Sequence, residues 1–527
     1  MNVLVFFISL TFFLFLMFIN FIPSLKLSLY VMEWDFLSFK LNFYFNSLLF
    51  SLILSLVTLS VLVFSTYYLN GELNFNYYLF MLLIFVGSMF MLNYSNNVYL
   101  MLISWDILGI SSFFLVLFYN NWDSNSGAMN TALTNRLGDF FLFVFFSSFL
   151  FYSYYFLSIQ FVAMSVLILL LLTSFTKSAQ FPFSSWLPKA MSAPTPVSSL
   201  VHSSTLVTAG LILLMNFSNF LLNNNLMLIL LLIGLFTMLF SSVTALVEED
   251  MKKVVALSTL SQMGFSTLTL GMGLSFVTFV HLISHALFKS CLFMQIGYII
   301  HGSNSQQDGR NYSFNGLFPM FVQMQLLITL LCLCGLMFSS GMVSKDLILE
   351  MFFFNNNYLM LNVLFFVSVF LTFGYSYRLW NSLFHNSIKT FFNFNSSYVI
   401  NFLSLVLVLL SVLFLWWLNI NLFTVPTVFL YLDLFTPLFY IFFLLMFVYW
   451  VFKILIKELI YKFLVDYLAK NVIVKVKNLK FVDLWLNVTN YKGFNVLNLL
   501  SYVLNYYMST FKHNNLIFLL FFIFLLL

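Results

Sequence analysis

Apolar stretches of about twenty residues recur along almost the whole chain, separated by short polar intervals. Each is long enough to cross a hydrocarbon core of about 30 Å as a helix. The pattern predicts about fifteen spans, near 3–22, 44–69, 76–93, 96–119, 130–154, 158–181, 196–217, 225–247, 253–271, 274–300, 318–352, 358–384, 400–420, 436–458 and 511–527. A β-barrel would instead show short segments alternating polar and apolar residues. The run from Leu221 to Val247 does not alternate, so the predicted fold class is all-α, a polytopic transmembrane helical bundle.

One interval breaks the rhythm. Residues 459–510 mix Lys462, Lys470, Lys475, Lys477, Lys480 and Lys492 with Val, Leu, Phe, Tyr and Trp. That is too charged to span and too apolar for a free tail, and it predicts a lateral amphipathic helix lying on the membrane surface or on neighbouring proteins. Its lysines place it on the side of the negatively charged compartment. The expected organisation is therefore N-terminal transmembrane helices over 1–95, a core over 96–384, further transmembrane helices over 385–458, the lateral helix over 459–510 and a terminal transmembrane helix over 511–527.

Two short segments suggest that the core is an inverted repeat, with halves near 76–247 and 253–384. Thr173-Ser174-Phe175-Thr176-Lys177 and Gly341-Met342-Val343-Ser344-Lys345 each put a small residue four positions, and a hydroxyl one position, ahead of a lysine in an apolar run. Such points let a membrane helix break while its freed backbone groups find other partners. Paired broken helices mark ion sites in transporters built from repeats.

Composition narrows the function classes. Hydrophobic residues make up 62% and charged residues 7%, against about a quarter charged in a soluble domain, so no soluble domain is expected. The net charge of +5 is spread over loops and the lateral segment, which speaks for membrane orientation and against nucleic-acid binding. Cys291, Cys332 and Cys334 sit in apolar runs without metal-type spacing and read as core filler. No basic leader or cleavage site precedes the first apolar segment, Val3 to Phe21, which predicts insertion where the chain is made. The 74 phenylalanines fit a base-biased organellar genome.

Against that background the ionisable residues inside apolar segments stand out, because a charge in hydrocarbon costs several kcal/mol and is functional by default. They are Asp106, Asp139, Lys177, His202, His281, His285, Lys289, Lys345 and Asp346. His281, His285 and Lys289 recur every fourth residue and so share one helical stripe. The chemistry that fits is a proton relay. Burial disfavours a charged lysine and a nearby carboxylate favours it, so changing their separation switches a lysine between holding and releasing a proton. Histidine can pass protons between such stations, and the hydroxyls at Thr173, Ser174, Thr176, Ser203, Ser204 and Thr205 can hold bridging waters.

Two other readings compete. Individual charges can be structural ion pairs, as Asp139 would be if it only neutralised Arg136. His281 and His285 could hold a metal or haem, but a lysine shares their stripe and no cysteine or carboxylate ligand is near in sequence. Glycine-rich phosphate loops, cysteine clusters and nucleophile elbows are absent from the sequence, which gives no support to dinucleotide, iron–sulfur or hydrolase sites.

The motifs Ser104-Trp105-Asp106, Asn135-Arg136-Leu137-Gly138-Asp139, Thr176-Lys177-Ser178-Ala179-Gln180, Trp186-Leu187-Pro188, Ala193-Pro194-Thr195-Pro196-Val197-Ser198, Leu200-Val201-His202-Ser203-Ser204-Thr205, Asp250-Met251-Lys252-Lys253, His285-Ala286-Leu287-Phe288-Lys289 and Ser344-Lys345-Asp346 follow one another in the chain. In that order they resemble the antiporter-like subunits of respiratory complex I. Lys345 at the second broken helix and the lateral segment are similar to the subunit 5 branch. The resemblance implies a proton-pumping membrane-arm subunit of the mitochondrial inner membrane, with the lateral helix on the matrix side. It implies no cofactor in this chain, with NADH, FMN, iron–sulfur clusters and ubiquinone held by other subunits. Its implied partners are the subunit 4 and subunit 2 homologues along the lateral helix, accessory subunits, and phospholipids such as cardiolipin.

The resemblance further implies that Asp106 and Lys177 form a coupled carboxylate–lysine pair, that His202, His281, His285 and Lys289 form a central axis, and that Lys345 with Asp346 forms the outlet. The family usually has Glu where Asp106 stands, which puts the pairing distance to Lys177 in question, and one N-terminal span fewer than usual is expected. The alternative with the same central motifs is a sodium/proton antiporter subunit, which the lateral helix disfavours. A haem-bearing oxidase subunit is a third class and would show haem absorbance.

Overall fold

A computed structural model describes Ile8 and residues 26–29, 39–95, 98–150, 164–217, 224–312, 320–335, 339–354, 359–384 and 404–413, with five positions between 495 and 502. Residues 1–455 and 456–527 form separate units. In the second unit the described positions, 495, 498, 499, 501 and 502, are helical; the rest of the predicted lateral helix, the terminal span and the span near 436–458 lie outside the described residues.

In the first unit helices follow one another: α1 Phe45–Tyr68, α2 Phe75–Tyr94, α3 Val98–Val116, α4 Trp122–Leu150, α5 Met164–Lys177, α6 Thr195–Asn216, α7 Asn224–Val247, α8 Met251–Gly271, α9 Ser275–Gly302, α10 Met320–Cys334, α11 Ser340–Phe354, α12 Leu359–Phe384 and α13 Ser404–Leu413. Among the described residues seven helices are long and apolar enough to cross a membrane. The exception to helix is a small antiparallel pair, β1 Lys26–Leu29 and β2 Phe39–Asn42, with Lys26 opposite Asn42, in the interval between the first two predicted spans.

Helix is the physical default here, because only a helix satisfies its own backbone polar groups in hydrocarbon. The many hydroxyl residues do not spoil it. In α1 the side chains of Ser51, Ser55, Thr58, Ser60 and Ser65 each donate to the carbonyl three residues earlier, at 2.7–2.9 Å, so they are satisfied without a tertiary partner.

The bundle is sorted by burial. Every residue of the α6 apolar window is buried and nearly every one of α9 is. Packed beside them is α8, which carries Ser258, Thr259, Ser261, Gln262, Ser266, Thr267 and Thr269 and is buried along its length apart from Lys253. A helix this polar is tolerated in a membrane only when other helices shelter it. Close approach to α7 does part of that: a Cβ placed on Gly234 or Gly264 would run into the facing helix, the small-residue packing expected where no hydrophobic force joins helices in lipid.

Both expected helix breaks exist, at shifted positions. The first follows Lys177 directly: Ala179 turns left-handed at φ +54, and helix resumes at Trp186–Lys189. The second falls at Gly335, φ +79, six residues ahead of Gly341, and helix restarts at Ser340. At φ +79 the second turn favours a residue without a Cβ, which Gly335 supplies. Gly341 serves a different need, since a Cβ there would collide with the Cys332 carbonyl. A third irregularity was not foreseen: Ser198–Thr205, inside α6, is a π-helical segment.

Candidate functional site

Three clusters of buried ionisable groups lie in the bundle. In the first, α5 ends on Lys177, whose side chain is completely buried. Its Nζ donates to the Trp105 carbonyl at 2.6 Å and lies 3.9 Å from the centre of the Trp105 ring. Asp139 is also buried and accepts a hydrogen bond from Arg136 at 3.1 Å, while the same guanidinium nitrogen sits 3.6 Å from Asp106. Asp106 is thus paired with Arg136, and among the described residues no carboxylate is within ion-pair distance of Lys177. The approach of α4 to α5 depends on Gly138, where any Cβ would strike Thr176.

The second cluster is His202 on the π-helical segment. Among the described residues neither of its ring nitrogens has a hydrogen-bond partner, and its ring meets Trp186 edge-on at 6.0 Å. Trp186 in turn donates its indole N–H to the Thr176 carbonyl at 2.9 Å, tying the loop after α5 back beside Lys177. The widened helical turn displaces backbone carbonyls, and the neighbouring hydroxyls take them up. Ser203 donates to the Ser199 carbonyl, and Ser204 and Thr205 donate to that of Leu200. π-Bulges of this kind mark functional positions in helices.

In the third cluster, α9 carries His281, His285 and Lys289, all buried. Their stripe drifts around the helix, so its ends face different neighbours. His281 Nδ1 is 3.1 Å from Ser344 Oγ on α11, while Lys289 Nζ donates to Ser258 Oγ on α8 at 2.5 Å. Between them His285 has no hydrogen-bond partner at either ring nitrogen. On α11, Lys345 Nζ donates to the carbonyls of Leu333 at 2.7 Å and Cys334 at 3.3 Å, and approaches Thr372 Oγ1 at 3.5 Å. These carbonyls are the last of α10, left without helical partners by the break, and the cation sits at the negative end of that helix dipole. Asp346 follows in α11; its side chain lies outside the described ones.

Sequence reasoning named the titrating groups but missed their partners: the Trp105 ring and carbonyl, Arg136 as a bridge between two carboxylates, Ser258 beneath Lys289, and Thr372 beside Lys345. Each is supplied by another helix or by a backbone atom, and so carries no local signal. Among the described residues no group of three or more His, Cys, Asp or Glu side chains comes together.

Residues 95–372, more than half of the chain, match the family described as NADH:quinone oxidoreductase/Mrp antiporter, TM. NADH-ubiquinone oxidoreductase chain 5 of Caenorhabditis elegans is 64% identical over 526 residues, covering 100% of both chains, and that of Ascaris suum is 62% identical, covering 96% of this chain and 92% of its own. Among solved structures, the Mrp complex from Dietzia sp. DQ12-45-1b shares the fold with a TM-score of 0.75 at 23% identity, covering 90% of this chain and 56% of the other. Motif order, broken helices, buried lysines and full-length identity agree: the chain belongs to the NADH:quinone oxidoreductase/Mrp antiporter membrane family, on the branch of NADH-ubiquinone oxidoreductase chain 5.

Proposed function

We propose that the chain moves protons across the mitochondrial inner membrane, as a membrane-arm subunit of NADH:ubiquinone oxidoreductase, through Asp139, Lys177, His202, His281, His285, Lys289 and Lys345. The supporting observation is the mode of burial. Among the described residues the lysines at 177 and 289 donate to neutral oxygens, and His202, His281 and His285 each keep at least one ring nitrogen with no protein partner. A buried charge ordinarily needs an opposite charge. Groups left with neutral partners have no counter-ion that holds them in the charged form, and unpartnered polar atoms in a buried polar site are where bridging water is held.

Arg136 sets the first station. It is held between Asp106 and Asp139, and in this reading it competes with Lys177 for the Asp139 carboxylate. Movement of the guanidinium toward Asp106 frees Asp139 to favour a protonated Lys177, and its return favours proton release toward His202. Lys345 with Asp346 forms the far station. The bundle end carrying Lys252, Lys253, Arg310 and Arg378 faces the matrix by the positive-inside rule; the lysines of segment 459–510 assign that segment to the matrix side by the same rule, with the subunit 4 and subunit 2 homologues as its partners. Accessory subunits and phospholipids such as cardiolipin complete its surroundings. The redox cofactors, NADH, FMN, iron–sulfur clusters and ubiquinone, belong to other subunits, and electron transfer there drives the relay.

The test is Lys177→Met in the assembled oxidoreductase. Protons pumped per electron should fall, with pumping slower by about tenfold or more, the scale of losing one positioned proton-transfer group, while membrane insertion is unchanged. Normal pumping by this variant would remove Lys177 from the pathway.

A further inference from the structure

The stations above leave open how protons reach Lys289, and the structure offers a connection on a helix that the motifs did not single out. We infer that Tyr375 is a proton-relay residue connecting Lys289, through Ser258 and Ser261, to the cavity between α7, α8 and α12 at the end of the bundle. This rests on the proton-carrying reading of Lys289 and goes beyond it.

Lys289 Nζ donates to Ser258 Oγ at 2.5 Å. Ser261 lies one turn along α8 on the same face, its hydroxyl donating to the Ser258 carbonyl at 2.9 Å. That Ser261 hydroxyl is also 3.1 Å from the hydroxyl of Tyr375 on α12, and the Tyr375 side chain is completely buried. A phenol costs free energy to bury unless its hydroxyl is used, and here it is used against the residue that leads to Lys289.

The same face of α12 leads outward. Arg378 and Leu379 follow it by three and four residues, so they share its face one turn nearer the helix end. Both line a cavity of about 110 Å³, together with Glu248, Glu249, Arg310 and Ser382. Arg378 is fixed there by donating to the Ala245 carbonyl at 2.9 Å, and Arg310 is ion-paired to Glu249 at 2.7 Å. The Arg310 side chain is mostly exposed, so the cavity opens at the surface. Toward the bundle centre, Thr372 lies one turn the other way and touches Lys345. The α12 face therefore runs from the cavity, past the group that contacts α8, to the second lysine.

The transfer balances without any co-reactant. A proton taken up by the Tyr375 oxygen from the cavity side releases the phenol proton to Ser261. Ser261 passes its own proton on, across the one-turn gap bridged by water, to Ser258 and the uncharged Lys289 amine. Every hydroxyl ends neutral with one hydrogen, and one positive charge has moved from the cavity to Lys289.

The decisive experiment measures proton pumping by the assembled oxidoreductase in vesicles, in normal and deuterated water, for Tyr375→Phe, Ser261→Ala and Lys289→Met, with Tyr377→Phe as a control on the same helix. Tyr375→Phe and Ser261→Ala should each lower pumping severalfold and raise the solvent isotope effect, because proton delivery becomes limiting; Tyr377→Phe should change neither. Loss of pumping in Lys289→Met together with normal pumping and isotope effect in Tyr375→Phe and Ser261→Ala would overturn the branch and leave the relay standing. Normal pumping in Lys289→Met would overturn the relay reading of Lys289 itself. If Tyr375→Phe fails to assemble, Ser261→Ala, which removes one oxygen, decides by the same two readouts.

Discussion

Lys177 and Lys345 meet the same problem, a cation in a low-dielectric interior, and each donates its ammonium to backbone carbonyls. Carbonyls stabilise the ammonium without tying it to one protonation state, as a close ion pair would. At Lys177 the Trp105 ring adds a second attraction, with the ammonium 3.9 Å from its centre. Replacing Trp105 with Leu removes the ring and keeps the carbonyl. We expect pumping to slow by about fivefold, equivalent to about 1 kcal/mol of cation–π stabilisation, with Trp105→Phe intermediate. Initial rates of vesicle acidification measure this, and equal rates in the two variants would show that the ring contributes packing alone.

At the scale of elements, the second helix break turns a lysine from a liability into a fixed station, because it frees the Leu333 and Cys334 carbonyls at a defined depth. The second break divides its labour between two glycines. Gly335 makes the left-handed turn, and Gly341 lets α11 pass against the end of α10. Gly341→Ala should therefore force the two half-helices apart and destabilise the subunit by about 2 kcal/mol, as overpacking does. Gly87→Ala on α2, where an added Cβ meets nothing within 4 Å, should be neutral. The yield of intact complex after mild heating separates the two; equal yields would mean that α10 and α11 are not held by this contact.

For the whole molecule, the polar helix α8 between apolar neighbours makes the interior a continuous polar seam inside an oily shell, with α6 and α9 at its centre. The proposed function gives segment 459–510 a different task, attachment. Cutting the chain before Lys462 should leave the bundle inserted and its lysines in place, but prevent stable attachment to the other membrane subunits. Native electrophoresis of membranes from the truncated form would show the subunit migrating apart from the complex. Full assembly of the truncated form would take the segment out of the attachment role.

What could be read without coordinates followed from solvent alone. Hydrocarbon admits few charges and demands satisfied backbone, so the helical class, the described spans and the set of ionisable residues inside apolar segments from Asp106 to Lys345 were legible in the apolar pattern and its interruptions. The packing decided the rest. Nothing local announces that Asp106 faces Arg136, that Lys177 rests on the Trp105 carbonyl, that α6 widens around His202, or that Tyr375 reaches Ser261 across 114 residues. Partition into a membrane is a sum over single residues, whereas a proton path is a property of distances between helices, and those exist only once the bundle has closed.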